Sequence, residues 1–227
     1  MSENRFVNQT LSELQEANRS PIDGYEDSPI LTLEEAVEKL IPLIPNVIAY
    51  VMTAKNTCNQ DSDLLTRDES AAIYLYSMAS SFFSSLNSAL RAENRHALKP
   101  WFAYLKLFMI ALNKLPSIKA VVWRGVYGDV SSVFVHNNID IWWSINSTSV
   151  DLIIVQPFLG EHGTLFAIEA MHGKDISQFA AIPEEKEVIL MPGTCVRAKT
   201  EVLNFNDRLF VVHLDEVTLQ RLVHLKR

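Results

Sequence analysis

The character of the chain changes within Leu115-Pro116-Ser117-Ile118-Lys119-Ala120-Val121-Val122-Trp123-Arg124-Gly125. Before Pro116, apolar residues recur at the three- and four-residue spacing of helices. After Pro116, short runs rich in β-branched and aromatic residues alternate with turn-forming residues. Helices followed by strands predict an α+β fold rather than an alternating α/β fold.

Two capping boxes mark predicted helix starts in the first half. In this motif a threonine side chain accepts a hydrogen bond from the main-chain amide three residues on. The side chain of a glutamate at that position accepts a hydrogen bond from the threonine amide. The pairs are Thr32 with Glu35 and Thr66 with Glu69. The first of these helices is predicted to continue to residue 41.

Two more helices are predicted, over about 82–92 and about 100–114. Pro100 suits the first turn of the second one, where a missing N–H costs little. Strands are predicted in the second half over 120–126, 142–147, 164–171, 187–191, 195–203 and 209–214.

A chain of 227 residues with 48 % hydrophobic residues can form one compact domain with a packed core. Within it we expect three segments. A polar arm covers 1–30 and contains a short helix near 10–18, a helical subdomain covers 31–116, and a β-rich core covers 117–227.

The composition excludes several functional classes. A net charge of −7 without a basic stripe argues against a nucleic-acid partner. Neither G-x-G-x-x-G nor G-x-x-x-x-G-K-[ST] occurs, so a bound nucleotide would need a fold without a glycine-rich phosphate loop. No apolar run reaches about 18 residues, so we expect no membrane association. The histidines lack metal-ligand spacing, so we expect no metal.

The location of the protein is inferred from its N-terminus and its cysteines. Residues 1–6 lack the apolar core of a signal peptide. Cys58 and Cys195 are too few for a disulfide framework. We therefore expect a cytoplasmic or otherwise intracellular protein.

Arg124 lies in an apolar run, where a buried charge is unfavourable unless an opposite charge or hydrogen bonds balance it. One interpretation is a strand that directs the guanidinium into a cleft, to hold a phosphate or carboxylate with its planar fork. Gly125 would then let a ligand approach the backbone. The alternative is a structural arginine paired with a core carboxylate.

Ser147-Thr148-Ser149 places three small hydroxyls at the end of a predicted strand. Such hydroxyls can position a ligand or a carboxylate by hydrogen bonds. The alternative is an ordinary strand or turn, because these residues are common in both.

Glu185 and Glu187 lead into the apolar run 188–191. Strand alternation predicts that the two side chains share one face. Two carboxylates at the mouth of an apolar strand suit a reaction that develops positive charge. The alternative is a solvated, charged loop.

The order and spacing of these motifs carry more information than any one of them. Ser147 comes 23 residues after Arg124, and Glu187 comes 40 residues after Ser147. Over about residues 119–215 this pattern resembles the arginine–serine–glutamate class of mono-ADP-ribosyltransferases, which includes binary bacterial toxins and vertebrate ecto-enzymes. The resemblance implies a split, mostly antiparallel β-sandwich, with the NAD-binding catalytic core in 117–227.

The resemblance also implies roles for the NAD-binding residues. Arg124 would hold the NAD phosphates, and the backbone of Gly125 would hold the nicotinamide amide. Ser147 would orient the catalytic glutamate and contact the nicotinamide ribose, with Thr148 beside it in the NAD site. Phe158 would pack on the nicotinamide.

The two glutamates receive different roles by the same resemblance. Glu187 would be catalytic, because a carboxylate beside the ribose stabilises the oxocarbenium-like sugar formed when nicotinamide leaves. Glu185 would meet the acceptor guanidinium. Deprotonating an arginine outright at neutral pH costs about 9 kcal/mol, so a second carboxylate must take its proton late. Ile182 stands where toxin relatives often carry an aromatic residue for substrate contact.

The function predicted from the resemblance is transfer of ADP-ribose from NAD to an arginine of a protein acceptor. We expect a monomer whose partners are NAD and that acceptor. NAD glycohydrolysis, with water as acceptor, would use the same cleft. The chain would otherwise be a catalytically weak NAD-binding module of the same fold, or a generic α+β interaction protein.

Overall fold

The computed structural model describes residues 7–8, 22–134 and 138–218. The helix expected near 10–18 lies outside these residues. The described chain divides into two compact units. One unit, here the helical unit, contains Ile22–Pro116 and Lys174–Glu187. The other, here the sheet unit, contains residues 7–8, Ser117–Gly173 and Val188 onward. Residues 174–187 fall inside the expected 117–227 core but cluster with the helices.

The helical unit contains five α-helices among its described residues. Both predicted capping boxes form, with bonds in both directions at Thr32 and at Thr66. Short 3-10 helices occur at Glu38–Leu40 and Arg95–Trp101. The α-helices are α1 Leu33–Ala36, α2 Val47–Thr57, α3 Arg67–Ser77, α4 Ser81–Arg91 and α5 Phe102–Lys114.

Two helix boundaries differ from the prediction. The first helix is predicted to reach residue 41, but its α-helical part ends at Ala36 and a 3-10 turn follows. Pro100 lies in the 3-10 helix before α5 rather than in the first turn of α5. Both changes occur where tighter 3-10 turns join α-helices, a distinction that apolar spacing does not resolve.

Aromatic packing holds the helical unit together. Tyr104 is fully buried, stacks on Phe108 and meets Phe82 edge-on. Its hydroxyl donates a 2.9 Å hydrogen bond to the main-chain oxygen of Ala72 on α3. The bond satisfies a polar group that would otherwise be buried at a cost, and it ties α5 to α3.

Nine strands among the described residues form one hydrogen-bonded sheet with the order β1-β2-β4-β6-β5-β9-β7-β3, and β8 pairs with β9. Helix α6, Leu152–Val155, and a 3-10 helix, Gln156–Phe158, follow β4. The strands are β1 Val7–Asn8, β2 Ser117–Tyr127, β3 Ile139–Trp142, β4 Asn146–Ser149, β5 Gly163–Asp175, β6 Glu187–Leu190, β7 Thr194–Ala198, β8 Leu203–Phe205 and β9 Leu209–Val217.

The predicted α+β class is confirmed. β2 pairs antiparallel with β4, and β9 pairs antiparallel with both β7 and β8. β5 and β9 run parallel. The sheet core gathers alternate residues of these strands, among them Val122, Phe166, Val188, Val196 and Val212.

Two predicted strands are each divided in the structure. The run 142–147 breaks into β3 and β4, because β3 pairs with β7 at one end of the sheet and β4 lies between β2 and β6. The run 195–203 breaks at a bulge. Ala198 pairs with Leu214 and Leu203 pairs with Val211, so the four residues 199–202 face only two residues of β9.

Candidate active site

Arg124 is buried because of its place on β2. It alternates with Val122 and Val126, which belong to the core of the sheet unit, and it is only 3 % exposed. Its Nη1 donates a 2.8 Å hydrogen bond to the main-chain oxygen of Ser147. The structure therefore brings together the arginine motif and the serine motif.

The Ser-Thr-Ser motif forms a fully buried strand. All four residues of β4 are at most 4 % exposed. Thr148 Oγ1 donates a 2.7 Å bond to the main-chain oxygen of Val188 on β6. Ser149 Oγ accepts from the amide of Asp151 at 3.1 Å. The middle hydroxyl of the motif thus joins β4 to β6, and its predicted part in NAD binding stays a prediction.

Glu187 is the first residue of β6 and is fully buried. Its main-chain oxygen accepts a 3.0 Å hydrogen bond from the amide of Ile176. The residue that follows it, Val188, is the acceptor of the Thr148 bond. The boundary between the two units falls between Glu187 and Val188, so the catalytic candidate ends the helical unit and opens a strand of the sheet.

Glu185 does not lie on the strand that Glu187 begins, so the predicted shared face is wrong. Pro183–Glu185 is a 3-10 turn, and Lys186 has left-handed backbone angles of φ 48° and ψ 48°. The chain changes direction at Lys186, which removes the period-2 alternation. Glu185 is partly exposed, whereas Glu187 is buried.

The segment before Glu187 forms two successive turns, and residues 176–186 are here named the Glu185 loop. In the first turn, the amides of Phe179 and Ala180 donate to the main-chain oxygen of Ile176 at 2.8 and 2.9 Å. In the second, the amide of Glu185 donates to Ile182 at 3.2 Å. Neither turn is among the predicted elements, although Pro183 and the pair Asp175 and Ser177 signal them. Asp175 Oδ1 accepts from the amide and the hydroxyl of Ser177.

The family assignment comes from comparison with known proteins. Residues 34–219 match the family model of NAD:arginine ADP-ribosyltransferases. The chain belongs to this family. It is therefore an ADP-ribosyltransferase, and its co-substrate is NAD. No curated protein sequence matches the chain significantly.

Solved structures of ADP-ribosyltransferases share the fold of this transferase. The agmatine complex of Vis, a toxin from Vibrio splendidus, is 19 % identical with a TM-score of 0.61, covering 86 % of this chain and 91 % of that chain. Exoenzyme S from Pseudomonas aeruginosa, solved with carba-NAD and human 14-3-3 protein beta, is 18 % identical with a TM-score of 0.60, covering 86 % and 98 %.

The type III effector XopAI from Xanthomonas axonopodis pv. citri is also similar in fold to the transferase. It is 17 % identical with a TM-score of 0.64, and the match covers 91 % of this chain and 89 % of that chain. At this level of identity the similarity shows the fold.

Two further candidates are residues of the sheet unit. Gly125 is a buried residue of β2, and its Cα lies opposite that of Val7 in the parallel β1–β2 pair. Phe158 ends the 3-10 helix Gln156–Phe158, and its side chain lies outside the described part of the transferase. Their predicted contacts with nicotinamide stay predictions.

Two absences hold for the described residues only. Within 7–8, 22–134 and 138–218, no three His, Cys, Asp or Glu side chains are grouped so that they could hold a metal ion. In the same ranges, no helix is both long enough and apolar enough to cross a membrane.

Proposed function

We propose that this transferase moves ADP-ribose from NAD to the guanidinium of a protein arginine and releases nicotinamide. The observation that carries the proposal is the order of the motif strands. Arg124 lies on β2, Ser147 on β4 and Glu187 at the start of β6, and these strands are consecutive in the sheet. The Arg124–Ser147 and Thr148–Val188 hydrogen bonds join each strand to the next.

Arg124 and its neighbours form the proposed NAD site. The guanidinium carries five N–H donors in a planar fork, and such a fork fits phosphate oxygens. One donor holds the Ser147 carbonyl, which fixes the plane of the fork. Gly125, Ser147, Thr148 and Phe158 would complete the contacts to nicotinamide and its ribose.

Glu187 is the proposed catalytic residue. Cleavage of the nicotinamide–ribose bond leaves a sugar with oxocarbenium character. A carboxylate that is 0 % exposed stabilises that charge more than a solvated one, because little water screens the field. The bond from Ile176 and the buried strand that follows hold its backbone in place before the reaction.

Glu185 is the proposed acceptor-binding residue. Its place on a partly exposed turn suits contact with an incoming side chain, and its carboxylate would orient the guanidinium and take its proton as the new N–C bond forms. Vis was solved in complex with agmatine, a small molecule that carries the guanidinium of arginine. That complex supports arginine as the acceptor here.

The proposal is tested with labelled NAD and agmatine, using the parent protein beside Glu187→Gln and Glu185→Gln. Both substitutions keep the size of the side chain and remove its charge. We expect Glu187→Gln to lose nicotinamide release with or without agmatine. Glu185→Gln should lose transfer and retain NAD hydrolysis. Nicotinamide release without any adduct in the parent would favour the glycohydrolase function, and no release at all would refute the proposal.

A further inference from the structure

The Glu185 loop is fastened to helix α3 by a long-range hydrogen bond. The amide of Ala181 donates to Ser77 Oγ at 2.7 Å across 104 residues of sequence. Ser77 is the last residue of α3 and is fully buried. Its hydroxyl donates in turn to the main-chain oxygen of Tyr74 at 3.0 Å. Because that bond fixes the hydroxyl hydrogen, an oxygen lone pair is held toward Ala181.

A second hydrogen bond connects the same helix to the loop through Asn59. Ser70 lies seven residues before Ser77 and therefore on the same face of α3. Its hydroxyl donates to the main-chain oxygen of Asn59 at 2.6 Å. The Asn59 side chain donates to the main-chain oxygen of Gln178 at 3.4 Å. Two buried serines of one helix face thus support the loop, one directly and one through Asn59.

Buried apolar side chains also hold the first turn of the loop in place. Ile176 is fully buried, and Phe179 and Ala180 are 3 % and 6 % exposed. Lys174, just before the loop, donates from Nζ to the main-chain oxygen of Leu115 at 2.7 Å, and burial lowers the pKa of Lys174. The loop is therefore fixed from its start to Ala181.

The two glutamates share Ile176, the first residue of the loop, but differ in their other supports. Glu185 follows Ala181 by four residues and sits in the 3-10 turn that begins after it. Glu187 is held by Ile176 and by the buried strand β6. Loss of the Ser77–Ala181 bond should therefore move Glu185 more than Glu187.

We infer that Ser77 is a positioning residue that sets the ratio of ADP-ribose transfer to NAD hydrolysis. This inference rests on the proposed function, because it takes Glu185 as the residue that meets the acceptor. Transfer requires the guanidinium to be held in a narrow range of positions, and a misplacement of about 1 Å can cost about a hundredfold in rate. Hydrolysis depends on Glu187, which the buried strand β6 also holds and which the change should therefore displace less.

The test compares Ser77→Ala with Ser77→Thr, which keeps the hydroxyl, and with Asn59→Ala, which removes the bond to Gln178 at a partly exposed position. Tyr104→Phe is the matched control, because it removes one buried hydroxyl bond to α3 without touching the loop. Each protein is assayed for agmatine transfer, for nicotinamide release without acceptor, and for amide hydrogen exchange over residues 176–186.

Ser77→Ala should lower kcat/KM for agmatine about tenfold or more and raise the KM for agmatine. Nicotinamide release without acceptor should change by less than about threefold, and the loop amides should exchange faster. Asn59→Ala should shift the ratio in the same direction by less. Ser77→Thr should restore the ratio, and Tyr104→Phe should leave it unchanged.

If the parent is active, three results overturn the inference. They are equal loss of transfer and hydrolysis in Ser77→Ala, an unchanged ratio despite faster exchange of the loop, and no change in exchange at Ala181. The exchange measurement needs no activity, so it tests the Ser77 bond even if the parent is inactive. An inactive parent with a loop that loosens as expected refutes the proposed function, and it refutes the role of Ser77 in the transfer ratio with it.

Discussion

Thr148 Oγ1 lies 2.7 Å from the main-chain oxygen of Val188, the residue that follows Glu187. Both residues are fully buried. This hydrogen bond links the Ser-Thr-Ser motif to the glutamate strand across 40 residues of sequence. It explains why the middle residue of the motif carries a hydroxyl in a strand that otherwise packs away from water.

Thr148→Val tests that bond with little change in side-chain volume. The substitution leaves the Val188 carbonyl buried without its donor, so we expect a loss of about 1–3 kcal/mol in the free energy of unfolding, measured in urea. Thr53→Val is the control, because Thr53 makes a similar bond to Ala49 on an exposed helix face. The control should change stability by less than about 0.5 kcal/mol. Equal effects of the two substitutions would contradict the role of the buried bond.

Arg124→Lys tests the need for a planar fork. Lysine keeps the charge but cannot present two parallel donors, so we expect the KM for NAD to rise about tenfold or more. Transfer and hydrolysis should fall together, because both use NAD. Arg197→Lys is the control, since Arg197 donates two hydrogen bonds, from Nε and Nη2, to the Asp215 carboxylate elsewhere in the sheet unit. A normal KM for NAD in Arg124→Lys would argue that Arg124 is purely structural.

The two thiols should be unreactive in the folded protein. Cys58 and Cys195 are free and buried, and burial raises the pKa of Cys195. Because the thiolate is the reactive form, we expect slow labelling by a thiol reagent at neutral pH and labelling of both cysteines after unfolding. Rapid labelling of Cys195 in the native protein would contradict its burial.

Glu169 should contribute to the free energy of unfolding at neutral pH, and this contribution should be lost as the pH falls. Hydrogen bonds from Lys199, and then His213, hold the pKa of Glu169 below its ordinary value. A lowered pKa stabilises the fold above the unfolded value of about 4.3, and that stability disappears as the pH falls through the folded value.

The pH test compares the parent with Glu169→Gln by urea unfolding at about pH 7 and about pH 3. The side chain of Glu169 is 43 % exposed, so we expect a loss of less than about 1 kcal/mol at the higher pH. The difference should shrink at the lower pH, because the carboxyl begins to take up a proton there. A difference that grows on acidification would have the wrong sign.

Local sequence signals predicted much of the helical unit. Thr32 and Thr66 mark the starts of their helices because capping is a short-range interaction. The change from helices to strands at Pro116 can be read from the sequence, because apolar residues recur at different spacings in helices and strands. The break of the run 142–147 was not predicted, because the two halves pair with strands that are distant in the sheet.

The geometry at Glu185 could not be derived from its sequence. Nothing in Glu185-Lys186-Glu187 marks Lys186 as the left-handed residue, a conformation that costs most residues about 1–2 kcal/mol. The loop segment just before this turn is held by a bond between Ala181 and Ser77, which lie 104 residues apart. Long-range contacts can override the local preference of the backbone for one conformation. Such contacts cannot be predicted from the alternation of apolar and polar residues.

The central claim is tested most directly by the acceptor residue itself. Two peptides that differ only by arginine or lysine at one position are incubated with NAD and the transferase, and their intact masses are measured. We predict one added ADP-ribose on the arginine peptide, none on the lysine peptide, and no adduct on either with Glu187→Gln. An equal adduct on both peptides, or none on the arginine peptide while nicotinamide is released, would contradict transfer to arginine.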